Sequence, residues 1–166
     1  MTELLFHEYA NIFPLMTPEE YAALVADMRA NGYDPTAPIV LYEGQILDGR
    51  NRWKAARELG IEPPYVDYDG DDPLGYVVRR NLNRRHLNET QRGTVASKLA
   101  NIKRGGIRDG NPRHVHQTAN LRFDGRISQT QAADMLNVSP RTVTTIRAVE
   151  RAAPDLFEPM AQGKMT

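Results

Sequence analysis

The stretch ILDGRNRWKAARELG, residues 46–60, predicts a strand that turns directly into a helix. Its apolar run ends at Asp48, and the glycine at position 49 permits a sharp change of backbone direction. The first helical turn then carries Arg50 and Arg52, although the positive amide end of a helix disfavours cations by roughly a few tenths of a kcal/mol each. Free amides at such an end attract phosphate, and arginine adds charge-assisted hydrogen bonds. The stretch therefore predicts a phosphate-binding turn; the alternative is that Asp48 alone compensates the arginines.

The helix in this stretch has a predicted buried face made by Trp53 and Ala56, and Gly60 is its predicted end. Arg52 falls on the other side of this pattern. We therefore expect the Arg52 side chain to face solvent, so that its removal leaves the fold intact.

Helix and strand signals surround this stretch. Residues 17–32, TPEEYAALVADMRANG, combine capping-box spacing at Thr17 and Glu20 with a proline at the first helical position and a terminal glycine. Residues 38–49, PIVLYEGQILDG, read as two short strands turning at Glu43-Gly44. A strand, a helix opening at Asp72-Pro73 and a helix capped by Asn88 follow. The pattern predicts an α+β fold with a small mixed sheet, followed by helices.

Residues 128–152, SQTQAADMLNVSPRTVTTIRAVERA, have the spacing of a helix-turn-helix unit. Ser128 is the predicted cap of the first helix, and Pro140 takes the first position of the second. Apolar residues in both helices make a common buried side. The predicted DNA-binding residues are Ser139, Arg141, Thr142, Thr144, Thr145 and Arg147, which offer arginine and short polar side chains to double-stranded DNA. The alternative is a helical hairpin with an ordinary polar face.

The formal net charge of +0 hides a segregation along the 166 residues. Residues 1–75 hold 5 Lys/Arg against 14 Asp/Glu, a balance of −9, and residues 76–166 hold 16 against 7, a balance of +9. Such asymmetry indicates a polyanion partner for the basic half; the alternative is attraction between the two halves. A Gly-, Asn- and Arg-rich region supplies the predicted DNA-phosphate contacts Lys103, Arg104, Arg108, Arg113, Arg122 and Arg126.

These signals predict five regions: a first domain at 1–87, a connecting helix at 88–104, a basic linker or loop at 105–126, the helix-turn-helix unit at 127–153, and the incomplete start of a further helical segment at 154–166. No apolar run approaches the length of a membrane span, and the first residues lack the pattern of a leader. We therefore expect no membrane partner and a cytoplasmic, nucleoid- or plasmid-associated location. With Cys 0, disulfides, thiolate metal sites and cysteine nucleophiles are excluded.

Three segments, NGYDPTAPIVLY at 31–42, GRNRWKAA at 49–56 and RNLNRRHL at 80–87, resemble in order the boxes of the ParB/sulfiredoxin superfamily. The likeness is greatest to the amino-terminal domain of ParB-type partition proteins and covers roughly residues 5–150. It implies a protein that binds CTP or ATP with Mg²⁺ and closes a dimeric clamp around DNA. By the resemblance, phosphates are cradled by Gly49, Arg52 and Ala55 and contacted by Arg84, and Asn81 is a metal-side ligand.

One departure from the family pattern bears on catalysis. Arg80 stands where the second box of the family begins with a glutamate that binds magnesium. We therefore expect nucleotide binding with at most weak hydrolysis, in a protein of plasmid, phage or chromosome partition or of gene regulation. Two alternatives stay open: a nucleotide-independent helix-turn-helix regulator, and a nuclease or nucleotide hydrolase with Asp48 and Glu89 as its acidic residues.

Overall fold

A computed structural model describes residues 3–84, 87–100 and 127–164 of the chain. Within these ranges the fold is α+β, as predicted, with a small three-stranded sheet and seven α-helices. The strands are β1 (Ile39–Tyr42), β2 (Gln45–Asp48) and β3 (Tyr65–Asp67). The helices are α1 (Pro18–Asn31), α2 (Arg50–Leu59), α3 (Pro73–Arg84), α4 (Glu89–Leu99), α5 (Gln129–Leu136), α6 (Pro140–Ala152) and α7 (Pro154–Ala161), and a short 3-10 helix at Ala10–Ile12 precedes them.

The sheet has the order β2-β1-β3 and is mixed. β1 and β2 form an antiparallel hairpin, and β3 runs parallel to β1. The predicted turn is confirmed: Glu43 and Gly44 both have positive φ, 50° and 73°, the left-handed geometry that tight hairpins favour. On the other side of β2, the His7 amide donates to the Ile46 carbonyl oxygen at 3.0 Å. β2 is therefore an edge strand whose outer side is partly covered by the chain at Phe6 and His7, and its last residue, Asp48, leads to the start of α2.

The first two helices pack together over one face of α2. The predicted capping box of α1 is confirmed, since the Thr17 side chain accepts from the Glu20 amide and the Glu20 carboxylate accepts from the Thr17 amide. Val25 and Met28 of α1 meet Ala55 and Ala56 of α2 in a buried cluster. This packing fixes the direction of α2 and the position of its first turn.

Helices α4 to α7 form the second half of the described chain. Asn88 and Gln91 make a capping box at the start of α4. Gly93 lets α6 approach α4 closely, because a Cβ at position 93 would overlap the Cδ1 of Ile146. The last helix, α7, packs against α4, with Phe157 buried beneath the Lys98 ammonium at 5.6 Å from the ring centroid.

A single cluster of buried side chains connects the two halves. It runs from Phe13 and from Leu47 of β2, through Val95 of α4, to Leu136 of α5 and Val143 of α6. The regions predicted as separate domains therefore share a core, and α4 contacts both the 3-10 helix and the helices that follow. None of the helices in the described ranges has the length and apolarity that a membrane crossing requires.

Candidate phosphate pocket and nucleic-acid interface

The turn from β2 into α2 opens a pocket of about 160 Å³. Gly49 adopts φ 99° and ψ 18°, and a Cβ there would lie 2.8 Å from Ile39 Cδ1 and 3.1 Å from Arg52 Nη2. Glycine is therefore required at this position on both conformational and steric grounds. No side-chain cap hydrogen bond forms at the first turn of α2, and the amides of an uncapped helix start attract anions. The pocket is lined by Ala10, Met16, Leu47, Asp48, Gly49, Arg50, Asn51, Arg52 and Asn81.

Arg50 makes part of the pocket wall but also holds the chain together. Its side chain is 9% exposed. One guanidinium nitrogen donates to the Phe13 carbonyl oxygen at 2.6 Å and the other to Asn11 Oδ1 at 3.1 Å. Arg50, which the sequence predicted as a phosphate contact, thus ties α2 to the segment after the 3-10 helix. Sequence reasoning missed this structural role.

The expectation that Arg52 faces solvent is wrong. Its side chain is only 21% exposed, and Nη2 lies 3.4 Å from Asp48 Oδ2 and donates to the Pro38 carbonyl oxygen at 3.2 Å. Burial raises the pKa of the neighbouring Tyr33 hydroxyl, and the Arg52 charge opposes that rise. The other edge of the guanidinium is different: Arg52 Nε is buried and has no hydrogen-bond partner among the described residues.

Asn81, from α3, lines the same pocket. Its Nδ2 donates to the Val77 carbonyl oxygen at 2.9 Å, one helical turn earlier. Asn51 was missed by the sequence reasoning. It is 8% exposed, lines the pocket and accepts from the Met16 amide at 3.5 Å. The sequence feature that could have indicated Asn51 as a pocket residue is its position between Arg50 and Arg52 in the first turn of α2.

Two other residues of the predicted phosphate site, Ala55 and Arg84, are not among the residues that line the pocket in the described part of the chain. Ala55 is fully buried in the contact between α1 and α2 and is not among the pocket residues. Its predicted contact with phosphate is corrected: a side chain one turn into the helix faces the helix packing instead. Arg84 ends α3, but its side chain lies outside the described residues.

The pocket residues suit a phosphate better than a metal ion. Gly49 leaves space for an anion, and the uncapped amides and Arg52 Nε, which has no partner among the described residues, are hydrogen-bond donors. The side-chain oxygens that the pocket offers to a cation are those of Asp48, already paired with Arg52, of Asn51, which accepts from the Met16 amide, and of Asn81. In the part of the chain that the structure describes, no three His, Asp or Glu side chains cluster as metal ligands. Glu89 lies elsewhere and accepts from Thr142.

Helices α5 and α6 have the predicted bounds and buried faces. Ser128 and Gln131 form a capping box on α5, which ends at Asn137 in the left-handed conformation. Ser139 caps α6, accepting from the Thr142 amide at 3.0 Å, and Pro140 takes the first position. The buried faces consist of Ala132, Ala133, Leu136, Val143 and Ile146.

The exposed side of α6 differs from the prediction at two positions, Thr142 and Arg147. Arg141, Thr144 and Thr145 are exposed. Thr142 is half-buried against α4, where its hydroxyl donates to Glu89 Oε1 at 3.3 Å. Its predicted place on the exposed side is therefore corrected: it supports α6 from behind. Arg147 is half-buried.

The predicted contacts of the basic linker, Lys103, Arg104, Arg108, Arg113, Arg122 and Arg126, lie outside the described residues. Neither the comparison with protein families nor the comparison with curated proteins found a match for the chain. The function therefore has to be argued from the pocket and from α6.

Proposed function

We propose that this chain is a DNA-binding protein of the ParB-like type that reads double-stranded DNA with α6 and binds a nucleoside triphosphate, CTP or ATP, at the start of α2. It acts as a homodimer in DNA partition or gene regulation. The observation that carries the proposal is the chemistry of the exposed side of α6, which combines an arginine and threonines with no carboxylate.

The exposed residues of α6 lie on one face. Arg141, Thr144, Thr145 and Ala148 recur at intervals of three and four and are exposed in the structure. A helix that enters the major groove needs donors and small side chains on such a face, because phosphates repel carboxylates. The single carboxylate of α6, Glu150, is turned toward α4, where it accepts from the Ser97 hydroxyl at 3.0 Å.

The back of α6 is held firmly, which a reading helix requires. Val143 and Ile146 are buried, and Ile146 sits against Gly93 of α4 with no room for a Cβ between them. Thr142 adds a hydrogen bond to Glu89 at the start of α4. A helix fixed at both its apolar and polar contacts presents its exposed side chains in a defined register, and this favours direct readout of base edges.

The pocket at the start of α2 supports the nucleotide part of the proposal. Its uncapped amides and the Arg52 guanidinium, whose buried Nε has no hydrogen-bond partner among the described residues, suit phosphate oxygens. The choice of a nucleotide comes from the resemblance of the three sequence boxes to ParB-type proteins. Of the oxygen-bearing side chains of the pocket, Asn51 accepts from the Met16 amide, and Asn81 and Asp48 would face a magnesium ion accompanying the phosphates.

A nucleotide-independent regulator is the second candidate. Arg50 donates to Asn11 and Phe13, and Arg52 to Pro38 and Asp48, so both arginines have roles within the protein itself. Calorimetric titration with CTP, ATP, GTP and UTP, with and without Mg²⁺ and DNA, separates the candidates. Saturable binding of one nucleotide supports the first, and binding of none supports the second.

The DNA assignment is tested by selecting bound sequences from a random duplex pool. The wild type should enrich a defined site, and Arg141→Ala should weaken binding to that site by about 1–3 kcal/mol and relax preference at one position. Arg29→Ala is the matched control, since Arg29 is exposed on α1, away from α6. An Arg141 variant with the site and affinity of the wild type would contradict the assignment of α6 as the reading helix.

A further inference from the structure

The pocket at the start of α2 holds a carboxylate where an anion is proposed to bind. Asp48 ends β2, lines the pocket and has a side chain only 12% exposed. Its Oδ2 lies 3.4 Å from Arg52 Nη2. A phosphate entering the pocket meets this negative charge at short range, in a partly buried place where water screens poorly.

The nitrogens of the Arg52 guanidinium differ in their hydrogen bonding. Nη2 is held by the Pro38 carbonyl oxygen at 3.2 Å and by the Asp48 carboxylate. Nε is buried and unpartnered within the described ranges, and the Cζ atom lies 3.6 Å from the position of a Cβ on Gly49. The guanidinium thus lies across the glycine that opens the pocket, with one edge held by protein atoms. An incoming phosphate needs the same guanidinium that Asp48 already binds.

We propose that Asp48 is an internal counter-ion that competes with phosphate for Arg52 and thereby sets the affinity threshold of the pocket. This inference rests on the proposed phosphate site. Without a bound anion, Asp48 neutralises Arg52. A single phosphate, with few contacts, does not displace it efficiently. A polyphosphate displaces it because further phosphates reach the amides of α2, so that additional contacts offset the repulsion.

The test is titration calorimetry with inorganic phosphate and with tripolyphosphate, without Mg²⁺, on the wild type and on Asp48→Asn. Removing the competing charge should tighten binding of both anions, by roughly threefold to tenfold. Asp34→Asn is the matched control. Asp34 senses the Arg52 charge, but it accepts from Thr36 and does not line the pocket. It should leave both affinities within about twofold of the wild type.

Thermal melts of each variant establish that it is folded, and Asp48→Ser replaces the asparagine variant if that protein does not fold. Tighter binding in the Asp48 variants, with Asp34→Asn unchanged, supports the threshold role. Wild-type binding of tripolyphosphate that Asp48→Asn leaves unchanged or weakens overturns that role and leaves the phosphate site standing. Absence of binding in all the variants overturns the phosphate site itself, and the threshold role with it.

Discussion

The guanidinium of Arg50 donates to the main-chain oxygen of Phe13 at 2.6 Å, across 37 positions of sequence. The donor is the first residue of α2 and the acceptor follows the 3-10 helix, so this bond ties the pocket to the segment that packs against α4. Phe13 itself is 1% exposed and lies in the main core. The Arg50 side chain therefore lines the pocket and also stabilises the fold.

Arg50→Ala should lower the free energy of unfolding by about 2–3 kcal/mol, because a buried carbonyl loses a charged donor and no water replaces it easily. Urea denaturation followed by circular dichroism measures the change. Arg57→Ala is the control, since Arg57 is an exposed arginine of the same helix with a surface ion pair to Glu3. Equal effects of the two substitutions would contradict a structural role for Arg50.

Arg52→Ala should abolish triphosphate binding and lower the free energy of unfolding by about 1–3 kcal/mol, since the Pro38 carbonyl oxygen and the Asp48 carboxylate lose a donor in a partly buried place. The sequence predicted that removing Arg52 leaves the fold intact, but its side chain is partly buried, so we expect a loss of stability. Nucleotide calorimetry and a denaturation curve measure the two effects. A destabilised variant with normal nucleotide affinity would show that Arg52 is structural only.

Gly93→Ala should destabilise the protein by about 1–3 kcal/mol even though alanine favours helix, because the new Cβ overlaps Ile146 Cδ1 and lies 2.9 Å from Thr142 Cγ2. The displacement of α6 should also weaken DNA binding. Shortening the partner in Gly93→Ala/Ile146→Val removes the overlapping methyl and should restore part of both losses. Additive losses in the double variant would mean that the two residues do not meet as described.

The stability of the protein should fall on acidification through His7. The ring is 7% exposed, accepts from the Tyr9 amide at 3.2 Å and packs against the Tyr9 and Tyr42 rings. Burial lowers the pKa of His7, with Glu8 and Glu43 opposing the shift. A lowered folded-state pKa favours the neutral ring, so its stabilising contribution is complete above the unfolded value of about 6.5 and is lost as pH falls through the folded pKa.

Thermal melts between pH 7.5 and pH 4.5, values chosen to span roughly the unfolded pKa of histidine, should show a steeper acid loss in the wild type than in His7→Asn. Asparagine keeps an acceptor for the Tyr9 amide but does not titrate in this range. Parallel pH profiles for the two proteins would exclude His7 as the source of the acid sensitivity.

The basic linker remains a prediction from the sequence. Replacing Arg104, Arg108 and Arg113 by glutamine should flatten the slope of log affinity for DNA against log salt, because fewer counterions are released. The selected binding site should stay the same, since phosphate contacts carry no base information. Fluorescence anisotropy between about 50 and 200 mM salt measures the slope, and an unchanged slope would remove these residues from the interface.

Much of the local structure follows from the sequence alone. The capping box at Thr17, the cap at Ser128, the turn at Glu43-Gly44 and the glycine at the start of α2 were all predicted and confirmed. Each depends on residues within three or four positions of one another, where side-chain and backbone chemistry leaves few alternatives. The buried faces of α5 and α6 followed for the same reason, since a helix repeats its faces at a fixed period.

The long-range contacts of the pocket and of α6 were decided only by the tertiary structure. Arg50 reaches Phe13, Arg52 reaches Pro38, and Thr142 reaches Glu89, over separations of 37, 14 and 53 positions. A local pattern states that a side chain is polar and on which face of its helix it lies, but not which element packs there. Long, charged side chains respond to that packing most strongly, because a buried guanidinium must find oxygen partners wherever the fold provides them.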